Sequence, residues 1–278
     1  MNYLANTHTR HKNNNFNINL IYKYNYIMEK PKKTKKSKKV TGPNSQMINF
    51  YELDEVKCFN HEYINPHFNI HNIKIPFRMI IVAMTGGGKT LTLVNLLKMM
   101  PDTFNKIVLI TQNKNEPLYN FLESVYEKDC FEIHEGLEWF NKLDIDKEFG
   151  EPDQQTLIIF DDMVKEKKQT QVEQLWLRAR KVGGGVSCMY LTQSYFYTLK
   201  FLRTNSNYII LKKSNGVNDI KAILRDYTLS ATKDQLLNMY NACVNNDDVC
   251  SFFMIDLQAK KDKAYRYGFD VFLDPNQF

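Results

Sequence analysis

Apolar residues along this chain of 278 residues fall into two alternating patterns. Short continuous runs rich in β-branched residues suit strands buried on both faces, whereas longer stretches with apolar positions three and four apart suit helices. Met79 to Ala83, Lys106 to Thr111, Thr156 to Met163, Val186 to Thr192, Tyr208 to Lys213 and Ser251 to Leu257 are of the first kind. Lys89 to Met100, Pro117 to Tyr126, Gln169 to Val182, Val217 to Asp226 and a segment running through Ala242 are of the second. Punctuation supports these bounds. Pro101 stops the first helix, Pro117 suits the first turn of the second, and Gly183 to Gly185 end the third. Thr232 with Gln235 three residues on has the form of a capping box. Helices alternating with buried-type strands predict an α/β fold of three layers around a mainly parallel sheet. Residues 130 to 155 mix aromatics and acids without a period and read as irregular chain plus a short helix. The stretch holding Arg203 and Asn205 reads as a loop. No repeat of solenoid period is present.

Within the Gln169 to Val182 helix, Val172, Leu175, Trp176 and Ala179 share one face and Arg178 and Lys181 the other. The whole chain's apolar fraction of 43% is ordinary for a globular chain long enough for one large or two small domains. Charge changes the picture, because it is uneven. Residues 1 to 45 hold ten Lys or Arg against the single acid Glu29, and the total is +6, so the rest of the chain carries about −3. Attraction to polyanions therefore starts in this tail or in a local patch. We divide the chain into a basic, Asn- and Lys-rich disordered tail, 1–45, and a catalytic domain, 46–278.

The first 27 residues include eight Asn and no apolar run of signal-peptide or membrane length, so neither a signal peptide nor a transmembrane helix is expected. Met28 offers a second start, and residues 1 to 27 read as translated upstream sequence. Pro31 to Lys39 is a solvated basic segment, or else a nuclear-localisation or nucleic-acid arm. Cys58, His61, His67 and His71 lack the paired spacing of a zinc finger, and their segment reads as a loop and strand leading into the core. Five cysteines without a framework suit a reducing compartment.

The richest chemistry lies between the first strand and first helix, at Ala83-Met84-Thr85-Gly86-Gly87-Gly88-Lys89-Thr90-Leu91. Three successive glycines let backbone N–H groups converge on an anion at a helix N-terminus, where the dipole favours negative charge. In such a phosphate loop Lys89 reaches the β- and γ-phosphates of ATP and the Thr90 hydroxyl ligates Mg²⁺. Ala83 stands where the common pattern has glycine. It is small, but cannot take a positive φ cheaply.

Thr156 to Met163 brings two carboxylates to the C-terminal end of a buried strand, the edge where open α/β sheets bind ligands. Asp161 there would hold Mg²⁺, usually through its bound water, and Asp162 would polarise the attacking water. Arg178 or Arg180 is placed to act as an arginine finger on a neighbouring subunit's γ-phosphate, unless either simply solvates its helix. Gln193, at the end of the next strand, could sense the γ-phosphate.

Taken together, AMTGGGKT, LIIFDD, the arginine-bearing helix, YLTQS, and LRTN followed by a strand resemble the DNA-packaging ATPases of large DNA viruses and virophage-like elements. These belong to the FtsK/HerA group of P-loop motors, with the poxvirus-type enzyme as the relative named here. The resemblance spans roughly residues 70 to 258. It implies a P-loop fold of the additional-strand (ASCE) type, with the Gln193 strand between the phosphate-loop and Asp161 strands. It also implies a homo-oligomeric ring that hydrolyses ATP with Mg²⁺ to push double-stranded DNA into a capsid, a capsid or portal-vertex partner, no membrane, and a place in the host cytoplasm and the virion. The family's Arg-His pair ahead of the sensor strand corresponds to Arg180-Lys181 here. Two other classes remain open: a P-loop kinase of a nucleotide or small metabolite, which would not need the paired acids, and a non-hydrolysing, nucleotide-gated capsid component.

Overall fold

The computed structural model of the protein describes residues 49–57, 61–214, 217–227, 231–246 and 248–278. The basic tail, Met28, the Pro31 to Lys39 run and Cys58 lie outside them. Residues 1–58 and 59–278 form separate units. In the first, Asn49 caps a 3-10 turn at Phe50–Glu52, and Asp54–Lys57 is one helical turn.

The second unit is built on a nine-stranded sheet of order β3-β2-β4-β5-β1-β6-β7-β8-β9. The strands are β1 Arg78–Val82, β2 Lys106–Thr111, β3 Phe131–Glu135, β4 Thr156–Asp161, β5 Val186–Thr192, β6 Tyr208–Leu211, β7 Phe253–Asp256, β8 Tyr265–Tyr267 and β9 Val271–Phe272. Those from β3 to β6 are parallel, and β7 to β9 continue antiparallel. β5 lies between β1 and β4, the order the resemblance implied. Successive residues of each central strand feed opposite cores. Ile80, Val82, Ile158, Phe160 and Tyr190 join one, and Met79, Ile81, Leu157, Ile159 and Leu191 the other. Covered on both faces, these strands read as continuous apolar runs, and each fully buried side chain contributes about 1.5–3 kcal/mol.

The first core takes Val172, Leu175, Trp176 and Ala179, all at most 2% exposed, from the helix Thr170–Arg178 and the turn after it. The second takes Leu93, Leu96 and Leu97 from the helix Lys89–Met99. Thr232 and Gln235 form the expected capping box on the helix Lys233–Val244. Three expectations change. Residues 130 to 155 contain strand β3 as well as the short helices Glu138–Lys142 and Ile145–Phe149, because alternating Phe131 and Ile133 suffice for an edge strand held by β2 alone. Lys200–Thr204 is helical rather than a loop, with Arg203 buried over the Tyr195 ring and paired with Asp226. The segment before β1 holds a helical turn, Phe68–His71, and no strand among its described residues.

His71 is fully buried, and its Nδ1 accepts the Ile73 N–H at 3.0 Å, which fixes a neutral ring. Burial, with smaller effects of His67 and Arg266, pulls its pKa down to about 4. Below pH 6.5 the unfolded chain takes up a proton that the folded chain refuses. Stability therefore falls as pH drops from about 6.5 to about 4, by up to about 3 kcal/mol. Urea midpoints measured across that window should show the slope, and His71→Asn should flatten it. An unchanged slope in the variant would place its origin elsewhere.

Candidate nucleotide site

The parallel strands deliver their C-terminal ends to one edge, where β1, β4 and β5 set their following residues side by side. The phosphate loop runs from β1 into the helix Lys89–Met99. Gly86 and Gly88 adopt left-handed φ of 72° and 79°, and a Cβ on Gly87 would stand 2.9 Å from the Met84 carbonyl. Ala83 needs no positive φ. It is fully buried, and its N–H donates to the Thr192 carbonyl at 3.1 Å, so alanine at the loop's first position is compatible with the turn. A cavity of about 500 Å³ opens over Met84 to Leu91, with Asp161, Asp162, Gln193, Tyr119 and Val249 among its walls. Its volume suits a nucleotide.

Asp162 itself takes a left-handed backbone, φ 55°, and its N–H donates to the Leu191 carbonyl at 2.9 Å. This turn sends its carboxylate toward the loop. Oδ2 accepts from Gln193 Nε2 at 2.9 Å and stands 3.7 Å from Lys89 Nζ. Gln193 in turn accepts at Oε1 from the Thr85 hydroxyl at 3.0 Å. One amide therefore spans the phosphate loop and the candidate base.

Asp161 points elsewhere. Its Oδ2 accepts from the Tyr119 hydroxyl at 2.8 Å and from Thr111 Oγ1 at 3.2 Å, while Oδ1 is buried with no hydrogen-bond partner among the described residues. Burial, then the neighbouring Asp162 charge, holds its pKa above the usual carboxylate range. Thr90, Tyr119 and Asp161 all line the same cavity, so both candidate metal ligands face one space. An orphaned carboxylate oxygen beside a threonine hydroxyl is a donor set of hard oxygens, which fits Mg²⁺. A bound dication would also reverse the local cost of the Asp161 charge.

Tyr119, Thr111, Val249 and Lys212 escaped the sequence reading. Nothing in the Pro117 to Tyr126 helical pattern marks a tyrosine aimed at a strand end. Lys212, 2% exposed, donates to Thr92 Oγ1 at 3.0 Å and to the Val249 carbonyl at 2.6 Å, which holds the segment before β7 against the phosphate loop. Burial pulls its pKa down to about 8.

The two candidate arginine fingers are not gathered at this edge. Arg178 ends the helix before β5 and is ion-paired with Asp146. Arg180 lies on the turn after it, beside Arg78 at the opposite end of β1 and β5. Among the described residues no group of His, Cys, Asp or Glu forms a metal cluster, Cys130, Cys188, Cys243 and Cys250 are free, and no helix is long and apolar enough to cross a membrane.

A phosphate loop, paired acids on a strand two places away, and a polar amide on the strand between them define a P-loop ATPase of the additional-strand class. A family profile described as Poxvirus A32 protein matches residues 66–256, well over half of the chain. The protein belongs to that family. A comparison with curated proteins finds no match. Among solved structures, the genome packaging NTPase B204 of Sulfolobus turreted icosahedral virus 2 is similar in its sulfate complex, with TM-score 0.51 and 14% identity over 70% of this chain and 97% of that one. Its AMPPCP complex gives TM-score 0.52 and 13% identity over 69% and 97%. At such identity the likeness is one of fold.

Proposed function

We propose that the protein is one subunit of a homo-oligomeric ring that hydrolyses ATP to drive double-stranded DNA into a capsid. The observation that carries this reading is the Thr85–Gln193–Asp162 connection, which ties a candidate general base to the loop that holds the γ-phosphate. A kinase needs no such base. Membership in the poxvirus family and the fold shared with a viral genome packaging NTPase support DNA as the cargo.

In this reading the phosphate-loop amides and Lys89 hold the triphosphate, and Asp162 orients water for attack on the γ-phosphorus. Thr90 and Asp161 would hold Mg²⁺, which would supply charge neutralisation to the triphosphate. Gln193 bonds Asp162 and Thr85 at once, so a shift of either reaches the other through it. Of the two trans-acting candidates, Arg180 has no carboxylate within ion-pair distance among the described residues and Arg178 does, which favours Arg180 as the cation lent to a neighbour. The tail 1–45 would add sequence-independent attraction to DNA ahead of the domain 46–278. A capsid or portal-vertex protein is the expected partner, in the host cytoplasm and the virion.

Steady-state ATP hydrolysis by the full chain tests this, with and without long duplex DNA and with Lys89→Ala as the blank. Stimulation that grows with DNA length and falls with salt is expected. Hydrolysis indifferent to DNA at every length would remove the translocase assignment.

A further inference from the structure

At the end of the sheet away from the phosphate loop is a second recess, of about 270 Å³, between the starts of β1 and β5 and the segment that precedes β1. Lys74, Arg78 and Arg180 line it, with Trp176 and Tyr63 among its aromatic walls, and no carboxylate lines it. Among the described residues none of the three cations has an acid within ion-pair distance. Lys74 lies near enough to favour the charged form of Asp256, but that carboxylate is bound to Arg266.

Arg78 is the informative residue. It is half-buried, and its guanidinium is held by neutral acceptors alone: Nε donates to Asn207 Oδ1 at 3.5 Å and Nη1 to the Trp176 carbonyl at 3.3 Å. Its own N–H donates to the same Asn207 oxygen at 2.9 Å. The fork is thus oriented without being neutralised. Burial, and less strongly the nearby Arg180, makes its charge costly, and Tyr63 opposite also feels the Arg180 charge. Two guanidiniums side by side, one partly desolvated and neither paired, form a site whose energy drops when an oxyanion enters.

The shape selects among oxyanions. An arginine that reaches into a neighbour's active site must protrude, whereas Arg78 sits inside a recess and the anion must come to it. A phosphodiester on the ridge of a duplex backbone is such a protruding anion, and Arg forks bind it without reading sequence. The part of the chain after the tail is net acidic by about three charges, so this recess is the kind of local patch where attraction to a polyanion has to begin.

We propose that Lys74 and Arg78 form a phosphate-binding site for the backbone of duplex DNA, with Arg180 left at the rim for a neighbouring subunit; the assignment rests on the reading of the protein as a DNA-translocating ATPase. The DNA then engages the sheet end opposite the nucleotide. β1 runs from Arg78 at one site to the phosphate loop at the other, so a five-residue strand joins cargo and fuel.

The test uses the full chain, a fluorescein-labelled duplex of mixed sequence, and anisotropy titrations over a range of salt. Arg78→Gln and Lys74→Gln should each weaken binding and lower the slope of log K against log salt by about 0.9, the release expected for one phosphate contact. Arg78→Lys should restore the slope while recovering only part of the affinity, since it keeps the charge and loses the fork. ATP turnover without DNA should stay at the wild-type value in all three, and more DNA should be needed for half-maximal stimulation. Lys74 is exposed, so its variant guards against a folding defect at Arg78. Unchanged affinity and slope in both Gln variants would overturn the site. Unchanged DNA binding with turnover lost in Arg78→Gln would also overturn it, and would give the recess to a neighbour's nucleotide. Wild-type protein that binds no duplex would instead sink the translocase reading itself.

Discussion

Asp162→Asn should leave ATP bound and all but stop its hydrolysis. The substitution keeps the shape of the side chain and an oxygen to accept from Gln193 Nε2, but removes the charge that lies 3.7 Å from Lys89 Nζ and that would orient the attacking water. General-base catalysis typically contributes about 10²–10⁴ in rate, so turnover should fall by roughly that factor. Affinity for ATP should change by no more than about threefold, because the amides of Gly86 to Lys89 are untouched and Lys89 loses only a partly solvated competitor for the phosphate. Equilibrium binding of a fluorescent ATP analogue and single-turnover hydrolysis separate the two quantities. A variant that hydrolyses ATP within tenfold of wild type would remove Asp162 from the base role. One that fails to bind nucleotide would show that the carboxylate instead holds the loop in shape.

The comparison with Asp161 sharpens that expectation. Adjacent residues on one strand end have opposite surroundings: Asp162 turns through a left-handed backbone toward an exposed glutamine, and Asp161 is fixed from behind by Tyr119 and Thr111. In the proposed mechanism a single peptide unit would thereby divide metal binding from water activation. In the sequence the pair is only Asp-Asp after four apolar residues. Its position was legible because buried parallel strands leave a continuous apolar signature and because acids after such a run must lie at its C-terminal edge. The order of the two acids alone assigns the metal to Asp161 and the water to Asp162; the turn that separates them was not legible, since it depends on a positive φ at Asp162 that no neighbouring glycine announces.

The same distinction runs through the whole chain. The phosphate loop, Asp161, Asp162 and Gln193 each follow an interior strand, and interior strands were found to within a residue or two. Tyr119 and Lys212 act at the site from elements whose own pattern is spent on packing, and only tertiary contact reveals them. Arg203 read as a loop residue because Arg-Thr-Asn-Ser is polar, although its charge is buried against Asp226 and the Tyr195 ring. β8 and β9 were missed altogether. Tyr265, Arg266 and Tyr267 form a strand of three residues whose central member is a buried cation, and no hydrophobic period exists in so short a run.

That cation should be the most costly side chain to lose among the charged residues of the sheet. Arg266 is 2% exposed, ion-paired with Asp256, which is 5% exposed, and it donates from Nη1 to the carbonyls of His71 at 3.3 Å, Asn72 at 3.1 Å and Phe269 at 3.3 Å. Burial raises the Asp256 pKa and lowers that of Arg266; the Arg266 charge is offset chiefly by Asp256, and the Asp256 charge by the Gln258 N–H and then by Arg266. Arg266→Met strands a buried carboxylate and three carbonyls, and should lower the unfolding free energy by about 3–5 kcal/mol in urea titrations. Asp256→Asn should cost less, because the guanidinium keeps its three carbonyl acceptors and the amide still fills the space. A pair that acted only as a salt bridge would give two similar losses; a clamp on the backbone gives the larger loss to arginine. The clamp joins β8 to the chain at 71–72, six residues before β1, and the phosphate loop lies at the far end of that strand. Folded Arg266→Met should therefore bind ATP as the wild type does, and a matching loss of affinity would mean that this end of the sheet sets the geometry of the loop.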